Sequence, residues 1–261
     1  MKKLVQHLFI AFLFSSSFIS CSKNSSDANS QLSIFLTDVP AIYDAVNIDI
    51  QGIQVNTNRY SSTTTGWISL PLKKQGVYNL LDFRNGLDTL LASQKLPAGT
   101  ISQIRLILGN KNSLSVDGTN HVLSTPSSLQ SGLKLNVHVT LVEGIEYKIW
   151  LDFDAGRSIV VNGNNYVLKP VIRAYTKATS GAVKGSVQPD SQSMIYAVRN
   201  TSDTIGSAIA DAISGDFFIS GLTAGKYKIA IDANNNYRDS IITTSVTNGM
   251  ITDIGSIKLT K

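Results

Sequence analysis

Asp152 and Asp154, two residues apart, are the side chains whose type and spacing most invite chemistry. Paired carboxylates serve as acid and base in glycoside hydrolysis, where they flank the scissile bond from opposite sides. Residues i and i+2 of a strand instead point the same way, and these two share a face with Glu146, Lys148 and Trp150. The spacing favours a solvated face, or partners for Arg105, Arg157 or Arg173, over a hydrolytic pair. The same register sends Ile149, Leu151 and Phe153 to the core. Trp150 is thereby left on the charged side, as a platform for a sugar or a protein, or beneath a covering loop or edge strand.

Other candidates are weaker. Asp232, Asn234, Asn236 and Asp239 offer oxygens at near-alternate positions, as calcium loops do, but Tyr237 stands where such loops need glycine and Thr243 where they need glutamate. Asn and Asp also favour plain turns by bonding their own backbone. The loop holding Asp38 and Asp44 ranks below it. His121 lies beside a turn, and His138 alternates with Lys134, Asn136 and Thr140 on a polar face, neither with a partner at metal spacing. No G-x-S-x-G elbow positions a serine. No catalytic, cofactor-binding or metal-ligating residue is assigned, and the chain is not expected to be an enzyme.

The one cysteine, Cys21, has a different meaning. Met1-Lys2-Lys3 makes a positive start, Leu4 to Phe14 is apolar except for Gln6 and His7, and Ser15 to Ser20 leads directly to Cys21. The apolar run is too short to span a bilayer and has the layout of an export signal. This resembles the bacterial lipoprotein signal, with Phe18 where that family usually has leucine. The resemblance implies cleavage before Cys21 and lipid on its thiol, so that Cys21 is an anchor. Two or three acyl chains, at about 0.8 kcal/mol per buried CH₂, hold a protein to a membrane essentially permanently.

Composition agrees with a folded, exported chain. Its 261 residues are 43% hydrophobic and 16% charged, enough apolar content for packed cores. Of 23 basic residues, Lys2 and Lys3 leave with the signal; 21 against 18 acidic ones give +3. That excess is spread along the chain, so nucleic acid is not an expected partner.

The elements that must position these residues read as strands. Residues 22–30 are polar and expected to be a flexible tether. Beyond them, Val46, Ile48 and Ile50 share one face; after Gly52 the apolar positions move to Ile53 and Val55, a phase change that predicts a β-bulge. Further strands are predicted over 66–70, 77–83, 87–95 (with a short helix as the competing reading), 101–108, 133–142 and 145–153. Asn85-Gly86, Asp117-Gly118 and Asn162-Gly163 signal tight hairpins. A polar break at 177–181 precedes seven more strands over 182–187, 194–198, 203–210, 216–219, 226–232, 241–246 and 251–259, the pattern of a small sandwich.

Two resemblances follow. Gly185-Ser186-Val187, Gly215-Asp216-Phe217 and Gly221-Leu222-Thr223-Ala224-Gly225-Lys226-Tyr227 resemble the carboxypeptidase regulatory-like, transthyretin-like sandwich. That resemblance implies a non-catalytic module with Phe217 and Tyr227 turned into its core. Leu36-Thr37-Asp38-Val39-Pro40-Ala41, Tyr43-Asp44-Ala45-Val46, Leu96-Pro97-Ala98-Gly99, Gln103-Ile104-Arg105-Leu106 and Leu151-Asp152-Phe153-Asp154-Ala155 resemble a domain family of unknown function found in bacterial lipoproteins. That one implies an extracytoplasmic β-rich domain and transfers no catalytic residue.

The expectation is an all-β chain of two Greek-key β-sandwiches, immunoglobulin- or transthyretin-like, in series: signal peptide 1–20, lipidated tether 21–30, first sandwich 31–177 and regulatory-like sandwich 178–261. Its expected place is the cell envelope at the outer membrane, held through lipid on Cys21. Its expected role is non-catalytic binding, adhesion or structural support toward a protein or glycan. A glycan or small-ligand receptor is the first alternative, an unfamiliar hydrolase the second.

Overall fold

A computed structural model describes residues 29–39, 41–57, 66–129, 131–163, 165–189, 192–200 and 203–261. The signal segment and Cys21 lie outside the described residues. The tether expected to reach Ser30 stops short of it: Asn29 already belongs to the first strand, and Ser30 is 1% exposed, its hydroxyl donating to the Leu96 carbonyl at 3.4 Å.

That first strand, β1 (Asn29–Val39), lies between β5 (Thr89–Pro97), antiparallel to it, and β10 (Glu146–Asp154), parallel to it. The short β13 (Ile172–Tyr175) extends this sheet beyond β10. A second sheet is built on β2 (Ala45–Thr57), which pairs with β3 (Trp67–Leu70), β4 (Gly76–Asn79), β6 (Gly99–Leu108) and β7 (Ser113–Val116). It continues through β8 (Thr119–Ser124), β12 (Asn165–Leu168) and β11 (Ile159–Asn162) on one side, and β9 (Leu133–Leu141) on the other. Alternation explains the packing. Val46, Ile48, Ile50, Ile53 and Val55 of β2 meet Leu32, Ile34, Leu36, Ile149, Leu151 and Phe153 of the first sheet in one core, every one of them 1% exposed or less. Ile50 faces Leu108 while Gly52 faces Ile107, so the β-bulge falls where the sequence phase shifts.

The second unit is a smaller sandwich. In one sheet β14 (Gly181–Gln188) is flanked by β17 (Asp216–Leu222), antiparallel, and β20 (Ile251–Lys258), parallel. The other runs β16 (Asp203–Ile209), β15 (Met194–Arg199), β18 (Gly225–Asp232), β19 (Ser240–Val246). Phe217, Tyr227, Ile229 and Ile231 are buried with Val183, Val187 and Ile195 between the two sheets, the inward face that the alternation in 226–231 predicts.

Several local expectations change. The strand expected over 77–83 ends at Asn79, and Leu80–Phe83 form a 3₁₀ turn whose Leu81 N–H is accepted by the Asn79 side chain at 3.3 Å. Leu80 and Leu81 are thereby both buried, which consecutive strand residues achieve only when both faces are covered. Asn85 and Gly86 do adopt positive φ, 55° and 86°. They join no hairpin, however: β4 pairs with β2 and β5 with β1, so the turn carries the chain from one sheet to the other. Asp117-Gly118 closes the β7–β8 hairpin, and β11 pairs with β12 as far as Asn162 and Asn165. The segment at 87–95 is strand from Thr89 onward, not helix.

The break at 177–181 is compact. Thr179 N–H donates to the Thr176 carbonyl at 3.2 Å, and Ser180, 5% exposed, donates to that carbonyl at 2.7 Å. On either side of this turn the two sandwiches touch. The Tyr175 hydroxyl lies 2.7 Å from Ser220 Oγ, and Gly86 lies so close to the Phe218 ring that a Cβ there would sit 3.1 Å from it.

Candidate functional site

Asp38, Asp152 and Asp154 come together at the end of the β1–β10 pair. Their parallel register sets Thr37 beside Asp152 and Val39 beside Asp154, so aspartates more than a hundred positions apart in sequence share one strand end. All three are nearly buried, at 5%, 3% and 6% exposure. The single-turn helix α1 (Ala155–Ser158) starts there. Asp38 Oδ1 accepts from Ala155 N–H at 3.1 Å, and Asp154 Oδ1 from Arg157 N–H at 2.9 Å. These are N-cap bonds, satisfying donors that the helix cannot use internally. Asp152 is held by Arg173 through Nε at 3.0 Å and through a closer contact from Nη2.

Arg173 does more than neutralise Asp152. From β13 its Nη1 donates to the Ile205 carbonyl of β16 at 2.6 Å, and its Nη2 to the Ser220 carbonyl of β17 at 3.2 Å. One guanidinium fork thus joins a buried carboxylate of the first sandwich to two backbone oxygens of the second. Burial pushes the Tyr175 phenol beside it up to about 12, so it stays protonated and able to donate.

The electrostatics differ within the trio. Burial, then the charge of Asp152, raise the Asp38 carboxyl well above the ordinary aspartate range, and its Oδ2 has no hydrogen-bond partner among the described residues. Burial also raises Asp154, against the opposing pull of the Arg157 amide and guanidinium. Neighbouring carboxyls in differing environments are a pairing that hydrolases use. Here both are tied into a strand end and a domain junction. The solvated face expected for Asp152 and Asp154 is therefore corrected to a covered one, while Arg157 and Arg173, among the partners considered, are the ones they take.

Of the two readings for Trp150, the structure takes the covered one. It is 7% exposed, stacked with Phe35 at 5.1 Å and Tyr175 at 6.0 Å between ring centroids. Its Nε1 donates to Asp88 at 2.7 Å, and Lys177 Nζ sits 4.3 Å from its ring. The platform is a covered cluster. On this face Phe35 and Tyr175 flank Trp150 from the neighbouring strands, and Asp88 and Lys177 close over it, while Glu146 and Lys148 stay exposed.

The other candidates stay apart. Asp44 accepts from Gly118 N–H at 2.8 Å, at the turn between β7 and β8. In the Asp232 to Asp239 loop, Asp239 accepts from Ala233 N–H at 3.0 Å, and Asn235 and Asn236 turn the chain with φ of 57° and 62°. His121 packs against the Tyr166 ring at 4.8 Å, and His138 is exposed on β9. Among the described residues no three His, Cys, Asp or Glu side chains gather so as to hold a metal ion.

Sequence reasoning missed the outer face of the β2 sheet. Two concavities of about 320 and 640 Å³ lie on it and share Gln51. Gln54, Ser69 and Gln75 line the first, with Gly52 and Ile107 beneath; Asp49, Asn110, Lys111 and Thr125 line the second. Alternation marks Gln51 and Gln54 as outward, but nothing local says that they form a hollow with Gln75 and residues 109–111.

A family described as "Domain of unknown function (DUF4382)" matches residues 29–170. No curated protein sequence matches the chain. Among solved structures, the TIE protein of Bacillus anthracis overlaps 89% of this chain at 11% identity and TM-score 0.28, with this chain spanning 34% of its length. The minor pilin GBS52 of Streptococcus agalactiae overlaps 88% of this chain and 95% of its own at 10% identity and TM-score 0.25. The major pilin subunit BcpA of Bacillus cereus overlaps 89% and 70% at 9% identity and TM-score 0.25.

Proposed function

The chain belongs to the DUF4382 family of domains of unknown function, and on that premise we propose that it is a lipid-anchored, non-catalytic binding protein of the cell envelope. One observation carries the binding part of this reading. The carboxylates placed for chemistry by type and spacing are engaged in capping α1 and in joining the sandwiches, while a hollow of about 640 Å³ on the first sandwich has Gln51, Asn110, Ser124 and Thr125 in its lining beside Asp49 and Lys111. The amides and hydroxyls orient a ligand by hydrogen bonds, and Asp49 is engaged by the Lys111 amide and by Gln51.

The anchoring part rests on the signal-like start and the placement of Cys21. No helix among the described residues is long and apolar enough to cross a membrane. Export to the outer membrane, attachment through the Cys21 thioether, and a regulatory-like identity for the second sandwich belong to the same proposal. A fatty-acid probe fed to cells tests it: the wild-type chain takes up label, and Cys21→Ser remains an unlabelled, uncut precursor. Undiminished labelling of Cys21→Ser would overturn the anchor.

A further inference from the structure

Gln51, Gln54 and Gln75 on the outer face of the β2 sheet form an ordered relay. Asp49, 2% exposed, is its fixed end: Oδ2 accepts from Lys111 N–H at 3.2 Å, and Oδ1 accepts a close hydrogen bond from Gln51 Nε2. The Gln51 nitrogen thus faces Asp49 and the Gln51 oxygen faces outward, toward Gln75. That oxygen accepts from Gln75 Nε2 at 2.7 Å. On the neighbouring row, Gln54 Nε2 donates to Ser69 Oγ at 3.0 Å and its oxygen accepts from Arg105 at 3.2 Å. The Arg105 guanidinium in turn lies 3.8 Å from the centroid of the Trp67 ring. Three flexible amides are thus held in set orientations before any ligand arrives, which removes part of the ordering cost of binding.

The hollows fit a small molecule or a short polymer. At about 320 and 640 Å³ they fall in the range of ligand sites, roughly 300–1,000 Å³, and their common residue Gln51 makes them neighbouring compartments. Gly52 keeps the floor open, since a Cβ there would stand 3.2 Å from Ile107 Cδ1. Charge narrows the ligand. The ionic side chains lining the two hollows are one carboxylate, Asp49, and one ammonium, Lys111. These two charges offset each other, and the nearby Arg105 guanidinium is engaged by Gln54 and the Trp67 ring. Amides and hydroxyls both donate and accept, the pattern that matches alcohol groups, and Leu72 and Ile107 offer apolar contact for C–H faces.

We propose that this groove binds a neutral oligosaccharide, its hydroxyls bonded to Gln51, Gln54, Gln75 and Ser69. The inference rests on the binding reading above and names its ligand class. The full-length lipoprotein, in a detergent without a sugar headgroup, is titrated calorimetrically with cellohexaose, maltohexaose, xylohexaose and mannohexaose, and with polygalacturonate as the anionic counterpart. At least one neutral hexasaccharide binds, and Gln54→Ala and Gln75→Ala each weaken it tenfold or more without lowering the melting temperature. Lys184→Ala, in the separate 460 Å³ cleft beside β14, leaves it unchanged. Binding of polygalacturonate alone, or of none of the five, overturns the inference. Saccharide binding that survives both glutamine substitutions also removes the groove, yet keeps the protein as an envelope binder.

Discussion

Asp38 ends β1 with one oxygen on the Ala155 amide and the other without a partner among the described residues. A carboxyl raised by burial and by the Asp152 charge keeps its proton in the native chain at a pH where the unfolded chain, with aspartate near about 3.9, has released it. The native state then binds more protons than the unfolded one, so stability is fully present below the unfolded value and falls as pH rises toward the native one. Asp154 shifts in the same direction. Asp38→Asn keeps the acceptor for Ala155 and removes the titration. Urea unfolding from pH 4 to 8 should show wild-type stability falling with a limiting slope of about 1.4 kcal/mol per pH unit for each such proton. The variant should lose one proton's share of that slope and exceed the wild type at pH 8. Equal slopes in the two proteins would remove Asp38 as the source.

At the scale of elements, the first sheet is covered on its second face at Trp150, Asp152 and Asp154, while Glu146 and Lys148 on that face stay exposed. β10 pairs with β1 and β13, and the three strands set Phe35, Trp150 and Tyr175 side by side across the sheet. Aromatics in adjacent cross-strand positions stabilise a sheet beyond their buried area. This row also receives the Asp88 hydrogen bond and the Lys177 ammonium. Trp150→Ala should therefore cost about 3–5 kcal/mol, as large-to-small changes in packed sites do. In a Trp67→Phe background, which leaves Trp150 as the only tryptophan of the two, emission should be blue-shifted and resist acrylamide. Free quenching, with a loss within about 1 kcal/mol, would return Trp150 to the surface.

For the whole molecule the question is whether two cores behave as one. Each sandwich has its own hydrophobic cluster, so each has the means to unfold separately. Between them, Arg173 bonds Asp152, Ile205 and Ser220, Tyr175 meets Ser220, and Gly86 seats the Phe218 ring. Calorimetry on the wild type should show one transition with matching calorimetric and van't Hoff enthalpies. Arg173→Met strands a buried carboxylate and two carbonyl oxygens. It should lower stability by about 3 kcal/mol or more, since breaking a buried ion pair costs about 3–5, and should split the transition in two. Two transitions already present in the wild type would mean that the junction does not couple the cores.

Period-two alternation was enough to read most of the strands, the bulge at Gly52, the turns at Asp117-Gly118 and Asn162-Gly163, and the inward faces of β2 and β18. Each of these depends on residues adjacent or nearly adjacent in sequence, and backbone geometry ties such neighbours to one another directly. Alternation separates two faces of a strand but does not say what lies over the second one. The strands carrying Phe35, Trp150 and Tyr175 had to pair before Trp150 could be covered, and β1 had to run parallel to β10 before Asp38 could join Asp152 and Asp154. The same limit hid the glutamine groove, whose walls come from positions 49–54, 69, 75 and 107–111. It also hid the junction, where Arg173 reaches carbonyls 32 and 47 residues further on. Contacts of that span are set by which strands pair and how the sheets stack, and only the tertiary structure decides those.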